Sequence, residues 1–103
     1  MSTPSPFYAH LAALSEPVRV RLLRLLAAEA LTVGELARVV QAPQSTVSRH
    51  LKVLREAGWL VARQEGPATW LSLLPELLPA EARGLWAVIA ADPAEAAQTA
   101  HDA

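Results

Sequence analysis

Gln44, Ser45, Thr46, Ser48, Arg49 and Lys52 fall within nine residues, in the stretch PQSTVSRHLKVLREAG at 43–58. An amide, small hydroxyls and long cations are the groups that contact base edges and phosphates in duplex DNA. Gln44 suits adenine N6/N7 and Arg49 suits guanine O6/N7. Ser45, Thr46 and Ser48 suit bases or phosphates, and Lys52, deeper along the segment, suits a phosphate. Spacing decides whether these groups share a face. Val47, Leu51 and Leu54 recur at i, i+4 and i+7, so a helix over about 44–57 turns them inward. Gln44, Ser45, Ser48, Arg49 and Lys52 then turn outward, and the positive end of the helix dipole near Gln44 favours a phosphate. The plain alternative is a solvated amphipathic helix with no ligand, so the surrounding elements must decide.

Charge distribution favours the polyanion. The 103 residues carry a formal net charge of −1. Residues 17–63 hold eight basic side chains (Arg19, Arg21, Arg24, Arg38, Arg49, Lys52, Arg55 and Arg63) against Glu29, Glu35 and Glu56, a local net of +5. Residues 64–103 hold Arg83 against six acids, a net of −5. A polyanion responds to the local field of the middle segment, not to the total.

Other chemistries find little support. With no cysteine, disulfides, thiolate metal sites and cysteine catalysis are excluded. His10 and His101 lie near the ends. His50 sits at the edge of the apolar face of its helix, where a structural histidine bonded to a neighbouring element is expected. No close set of histidines and carboxylates predicts a metal site. There is no Gly-rich phosphate loop and no convergent Ser/His/acid set, so neither an enzyme nor a cofactor is expected. The start, MSTPSPFYAHL, lacks the pattern of a secretory signal, and no run nears the ~18 apolar residues of a membrane span. A cytoplasmic protein without membrane contact is the expectation.

The elements that would position the outward face follow from spacing and caps. Residues 1–6 are expected to be loose. Phe7, Tyr8, Leu11 and Leu14 predict a first short helix. Ser15 is the expected N-cap of a second, with Pro17 in its first turn and with Val18, Val20, Leu22, Leu23, Leu25 and Leu26 as broad apolar surface. Thr32 and Glu35 form a capping-box pattern that opens a third helix, burying Val33, Leu36, Ala37 and Val40. Pro43 breaks the chain before the helix of the opening stretch, and Gly58 is placed to end it. Trp59–Gln64 and Thr69–Leu73, around the turn Glu65–Ala68, predict a hairpin. Residues 80–91 predict a last amphipathic helix, followed by an Ala-rich tail. The expected fold is mainly α with a small β-hairpin, in the order α-α-α-α-β-β-α. That order is the winged form of the helix-turn-helix.

LSEPVRVRLLRLL and LTVGELARVVQAPQSTVSRHLKVLREAGWLVARQEG resemble the ArsR-type winged helix-turn-helix regulators over about residues 7–75. The most specific part is STVSRHLKVLREAGW followed by an extended segment and a Gly turn. The resemblance implies a dimeric, cytoplasmic repressor whose operator affinity responds to an effector. The departures are as informative. Metal sensors of this family carry Cys-x-Cys at the start of the helix matching Val33–Val40, where this chain has LTVGELA. Others use Asp/His and His/Glu pairs along the last helix, where this chain has EARGLWAVIAA. Metal sensing is therefore not expected, and an effector, if there is one, is an unidentified small molecule. The wing turn lacks a basic tip, which leaves Arg63 as the candidate wing contact to DNA.

A chain this small exposes a large share of its apolar surface. Phe7, Tyr8 and Leu11 near the start, and Leu85, Trp86 and Ile89 near the end, are expected to build a two-fold dimer through the first and last helices. Leu77 and Leu78 add to that surface, and Trp59 and Trp70 are expected to close the core instead. One domain is expected over 1–103, with the winged-helix core at 7–75 and a dimerisation helix and tail at 76–103. Two other functions stay open at this stage. One is a winged-helix module that binds protein. The other is a DNA-binding module related to fusions of such regulators with methyltransferases, which residues 76–103 loosely resemble.

Overall fold

The computed structural model describes residues 5–93. Helices α1 (Pro6–Ala13), α2 (Pro17–Ala28), α3 (Val33–Val40) and α4 (Gln44–Glu56) lead into strands β1 (Val61–Glu65) and β2 (Ala68–Ser72). A 3-10 turn at Pro75–Leu77 and helix α5 (Ala80–Ala91) complete the order. The topology is the expected winged helix-turn-helix. The Ala-rich tail falls almost wholly outside the described residues.

Local chemistry accounts for the helix ends. Residues 1–4 of the segment expected to be loose lie outside the described residues; of the rest, Pro6 already begins α1, and Ser5 caps it, its Oγ accepting from the Phe7 N–H at 3.2 Å. Ser15 does not cap α2 as expected. Its hydroxyl donates to the Ala12 carbonyl at 2.7 Å and so closes the end of α1, while Glu16 takes the N-cap position before Pro17. Thr32 and Glu35 do form a complete capping box: Glu35 N–H donates to Thr32 Oγ1 at 3.2 Å, and Thr32 N–H donates to Glu35 Oε1 at 2.9 Å.

The two helices of the helix-turn-helix both end on a left-handed residue. In α4 it is Gly58, at φ 86°. There the Gly58 N–H donates to Arg55 O at 3.0 Å and the Trp59 N–H to Leu54 O at 2.9 Å, the paired bonds of a Schellman end. In α3 it is Gln41, at φ 56° and ψ 51°, a conformation that costs a residue with a Cβ. Only Gln41, Ala42 and Pro43 separate α3 from α4.

Helix α2 is the spine of the core. Its Leu22, Leu23 and Leu26 meet Leu36 of α3 and Val47, Leu51 and Leu54 of α4, all buried in one cluster with Trp59, Leu71 and Leu73. The hairpin is shorter than expected. Trp59 and Leu60 precede β1 and plug the core, and the loop is two residues, with Gly66 at φ 59° in its first position. Trp70 is only half-buried, cross-strand from Arg63, so Trp59 alone of that pair closes the core. The wing is held to the body by Leu31 and Leu71, which exchange backbone bonds of 3.0 and 2.9 Å, and by Leu73 N–H donating to Leu26 O at 3.1 Å.

Candidate nucleic-acid interface

Helix α4 presents two opposed faces. Val47, Leu51 and Leu54 are buried, while Gln44, Ser45, Ser48, Arg49 and Lys52 are exposed, as their spacing requires. Thr46 is half-buried and sits at the margin. The Gln44 amide folds back towards α3: its Nε2 stands 3.0 Å from where a Cβ on Gly34 would be. The missing side chain at 34 thus makes room for Gln44, a link between the two helices that spacing within α4 alone does not reveal.

The basic residues of 17–63 divide into two groups. The three on α2 are tied to carbonyls in the closing turns of three other helices. The Arg19 guanidinium donates to Ala12 O at 3.1 Å and Ala13 O at 3.4 Å, at the end of α1. Arg21 donates to Val39 O of α3 at 3.3 Å, and Arg24 to Ile89 O of α5 at 3.1 Å. Cations at these ends add donors to carbonyls of the closing turns and oppose the negative end of each helix dipole. Arg63 of the wing pairs with Glu65 at 2.8 Å, leaving the wing tip without net charge. Arg38, Arg49, Lys52 and Arg55 make no hydrogen bond or ion pair among the described residues. All four lie on α3 and α4.

His50 is buried, and its Nδ1 accepts from Arg19 Nε at 3.2 Å. It is the structural histidine its position implied. Burial first, and then the Arg19 and Arg49 charges against the opposing pull of Glu16, hold its pKa below the usual 6.5. The neutral ring acts as an acceptor that joins the start of α2 to the middle of α4.

His10 is the residue that sequence reasoning passed over. It is buried in α1 and accepts from the indole N–H of Trp59 at 3.0 Å, with the two rings edge to face at 5.7 Å. Its Nε2 lies 3.8 Å from Glu81 Oε1 of α5 and has no hydrogen-bond partner. The contact joins α1, the residue that follows the left-handed Gly58 at the end of α4, and α5. Its signal in the sequence is faint: His10 lies three residues before Ala13, the other buried residue of α1, and next to the apolar row of Phe7 and Leu11 that the fold leaves outside.

A groove of about 690 Å³ lies between α4 and the wing. Ser48, Lys52, Arg55 and Glu56 form the α4 wall, Ala62 and Thr69 the wing wall, and leucines the floor. Apart from the interface proper, α1 and α5 pack together and leave apolar side chains outside. Phe7, Tyr8 and Leu11 of α1 are exposed as expected, Tyr8 at 65%. On α5 the exposed large apolar residue is Val88, at 73%, whereas Leu85, Trp86 and Ile89 are half-buried. Leu78 is buried and leaves only Leu77 of that pair at the surface. No three metal-ligating side chains cluster among the described residues, and no helix there is long and apolar enough to cross a membrane.

A helix-turn-helix with a two-stranded wing and an outward polar face on its second helix defines a winged helix-turn-helix protein. A helix-turn-helix domain family matches residues 14–61. Arsenic resistance transcriptional regulator ArsR1 of Pseudomonas putida is 40% identical over 65 residues, which cover 62% of this chain and 51% of that protein. A solved structure described as a possible transcriptional regulator for arsenical resistance is 36% identical, with a TM-score of 0.66, over 92% of this chain and 96% of that one. The transcriptional repressor BigR from Xylella fastidiosa is 32% identical, with a TM-score of 0.64, over 80% of both chains. The chain belongs to the ArsR-type family of winged helix-turn-helix regulators. It spans only 51% and 64% of the curated relatives it matches in sequence. The relatives carry the names of regulators, not of enzymes.

Proposed function

We propose that this protein is a homodimeric repressor that reads a palindromic operator with α4 in the major groove. The observation that carries the proposal is the division of α4 into a face locked by Val47, Leu51 and Leu54 and a face of unpaired polar and basic groups. Arg49 and Gln44 read bases, Ser45, Thr46 and Ser48 contact bases or phosphates, and Lys52 neutralises a phosphate. Arg63 joins from the wing only when its pair with Glu65 opens. Such an exposed pair holds with about 0–1 kcal/mol, so DNA can displace it.

The dimer is proposed to form through α1 and α5, where Phe7, Tyr8, Leu11 and Val88 leave an apolar face in the single chain. Leu85, Trp86 and Ile89 back that face. A two-fold axis there sets the two α4 helices about one DNA turn apart, ~34 Å, and makes the operator palindromic. The repressor role rests on kinship to BigR, which bears that description.

Selection of bound sites from random DNA tests the whole reading. The expected product is an inverted repeat, bound by a species that sediments as a dimer at tens of micromolar. A monomer at that concentration overturns the dimer. Specific binding lost with Lys52→Ala on every sequence alike, but with Arg49→Ala chiefly on the preferred site, assigns the two roles. The neutral wing tip favours one competing reading, a module that binds protein. That module shows no DNA affinity with a steep salt dependence.

A further inference from the structure

We propose that the groove between α4 and the wing seats a stretch of DNA sugar-phosphate backbone, and that Arg55 is its main anchor beside Lys52. This rests on the DNA-binding reading above and goes beyond it by moving the wing-side contact from the wing tip to the wing face.

Ser48, Lys52 and Arg55 all line the groove and follow one another at i, i+4 and i+7. That spacing forms a single row along α4, roughly 10 Å long at 1.5 Å per residue. The row offers a hydroxyl and two cations that no protein group engages among the described residues. Ser48 and Lys52 also belong to the outward face of α4, so the groove is continuous with the surface that would enter the major groove. A strand flanking that groove passes beside the helix, where this row lies.

The wing wall is shaped to admit the strand, not to attract it. Ala62 is small and exposed on β1. The Thr69 hydroxyl already donates to Gln64 Oε1 at 2.6 Å, and the Gln64 amide donates to Gly66 O at 3.0 Å. The wing's polar groups are thus occupied internally, and Arg63 is paired with Glu65. Attraction must come from α4. Glu56 stands on the same rim as an opposing charge and reduces the pull of Lys52 and Arg55.

The test is the salt dependence of DNA binding by the full chain on a selected site and on random duplex. Arg55→Ala is expected to lower the slope of log K against log salt by about 0.9, the value for one lost phosphate contact, on both DNAs. Arg63→Ala is expected to lower the slope by less than Arg55→Ala does, because its pair with Glu65 must open before it meets a phosphate. Ala62→Glu is expected to weaken binding at least 10-fold at low salt, with the deficit shrinking at high salt, whereas Ala62→Gln, of the same size, weakens it far less. Glu56→Gln is expected to tighten binding to both DNAs. Arg55, Ala62 and Glu56 are exposed, and unchanged thermal melting of each variant excludes misfolding as the cause. An unchanged slope in Arg55→Ala, with a lowered slope in Arg63→Ala, overturns the groove and returns the contact to the wing tip. Equal effects of Ala62→Glu and Ala62→Gln overturn it too. Absence of salt-dependent binding in the wild type instead overturns the DNA-binding reading itself.

Discussion

Helices α2 and α4 carry three cations each, at similar density, and use them in opposite ways. Arg19, Arg21 and Arg24 bind carbonyls near the ends of α1, α3 and α5, so each is part of the scaffold. Arg49, Lys52 and Arg55 bind nothing in the protein among the described residues. A planar guanidinium with five donors suits the first task, because it can satisfy several acceptors in fixed directions. The second task requires that the donors stay unspent. The local charge of +5 is therefore not one basic patch. Part of it is internal neutralisation of helix ends, and part is available to a partner.

Substitution separates the two groups. Arg19→Met is expected to destabilise the fold by about 2 kcal/mol in urea unfolding, since it removes one donor from each of two carbonyls and the donor to buried His50 Nδ1. The affinity of the remaining folded protein for DNA stays the same, and a specific loss of affinity without loss of stability would erase the distinction. Arg49→Ala is expected to do the reverse. It costs about 1–3 kcal/mol on the preferred operator and flattens discrimination there, with stability changed by less than about 0.5 kcal/mol.

The joint between the two groups is His50, and pH probes it. Its folded pKa is lowered, so the unfolded chain binds the proton more readily. The stability it contributes is complete above the unfolded value of 6.5 and is lost as pH falls through that value towards the lower folded one. Urea midpoints are expected to fall between pH 7.5 and 5.5, with a shallower fall in His50→Gln. Equal falls in both proteins would remove His50 from this role. The smallest effect belongs to the other end of the helix-turn-helix. Gln41→Gly relieves a left-handed residue that α4 meets with Gly58, and is expected to raise stability by up to about 1 kcal/mol in the same assay, without changing the salt slope.

Much of the fold was legible because its signals are local. The Thr32–Glu35 capping box, the break at Pro43, the left-handed Gly58 and the i, i+4, i+7 row of Val47, Leu51 and Leu54 all act within a turn or two of themselves. They suffice to order the elements and to split α4 into inner and outer faces. Ser15 shows the limit of such signals: its hydroxyl lies within reach of two helix ends, and only the path of the chain chose the end of α1. The hairpin was placed but overextended, because Trp59 and Leu60 have the composition of a strand and the burial of core plugs.

The sequence by itself determined which residues form each helix, which side of α4 is apolar and where the basic charge accumulates. Periodicity and capping are short-range, and charge is a count. Only the tertiary structure decided which cations are free. That choice depends on where the ends of α1, α3 and α5 come to lie against α2, across 6 to 65 residues of sequence. It also decided that His10 is buried under Trp59, 49 residues away, and that Val88 is the exposed large apolar residue of α5. Hydrogen bonds and burial are satisfied in space, and spacing along the chain cannot report a partner that the fold alone brings within 3 Å.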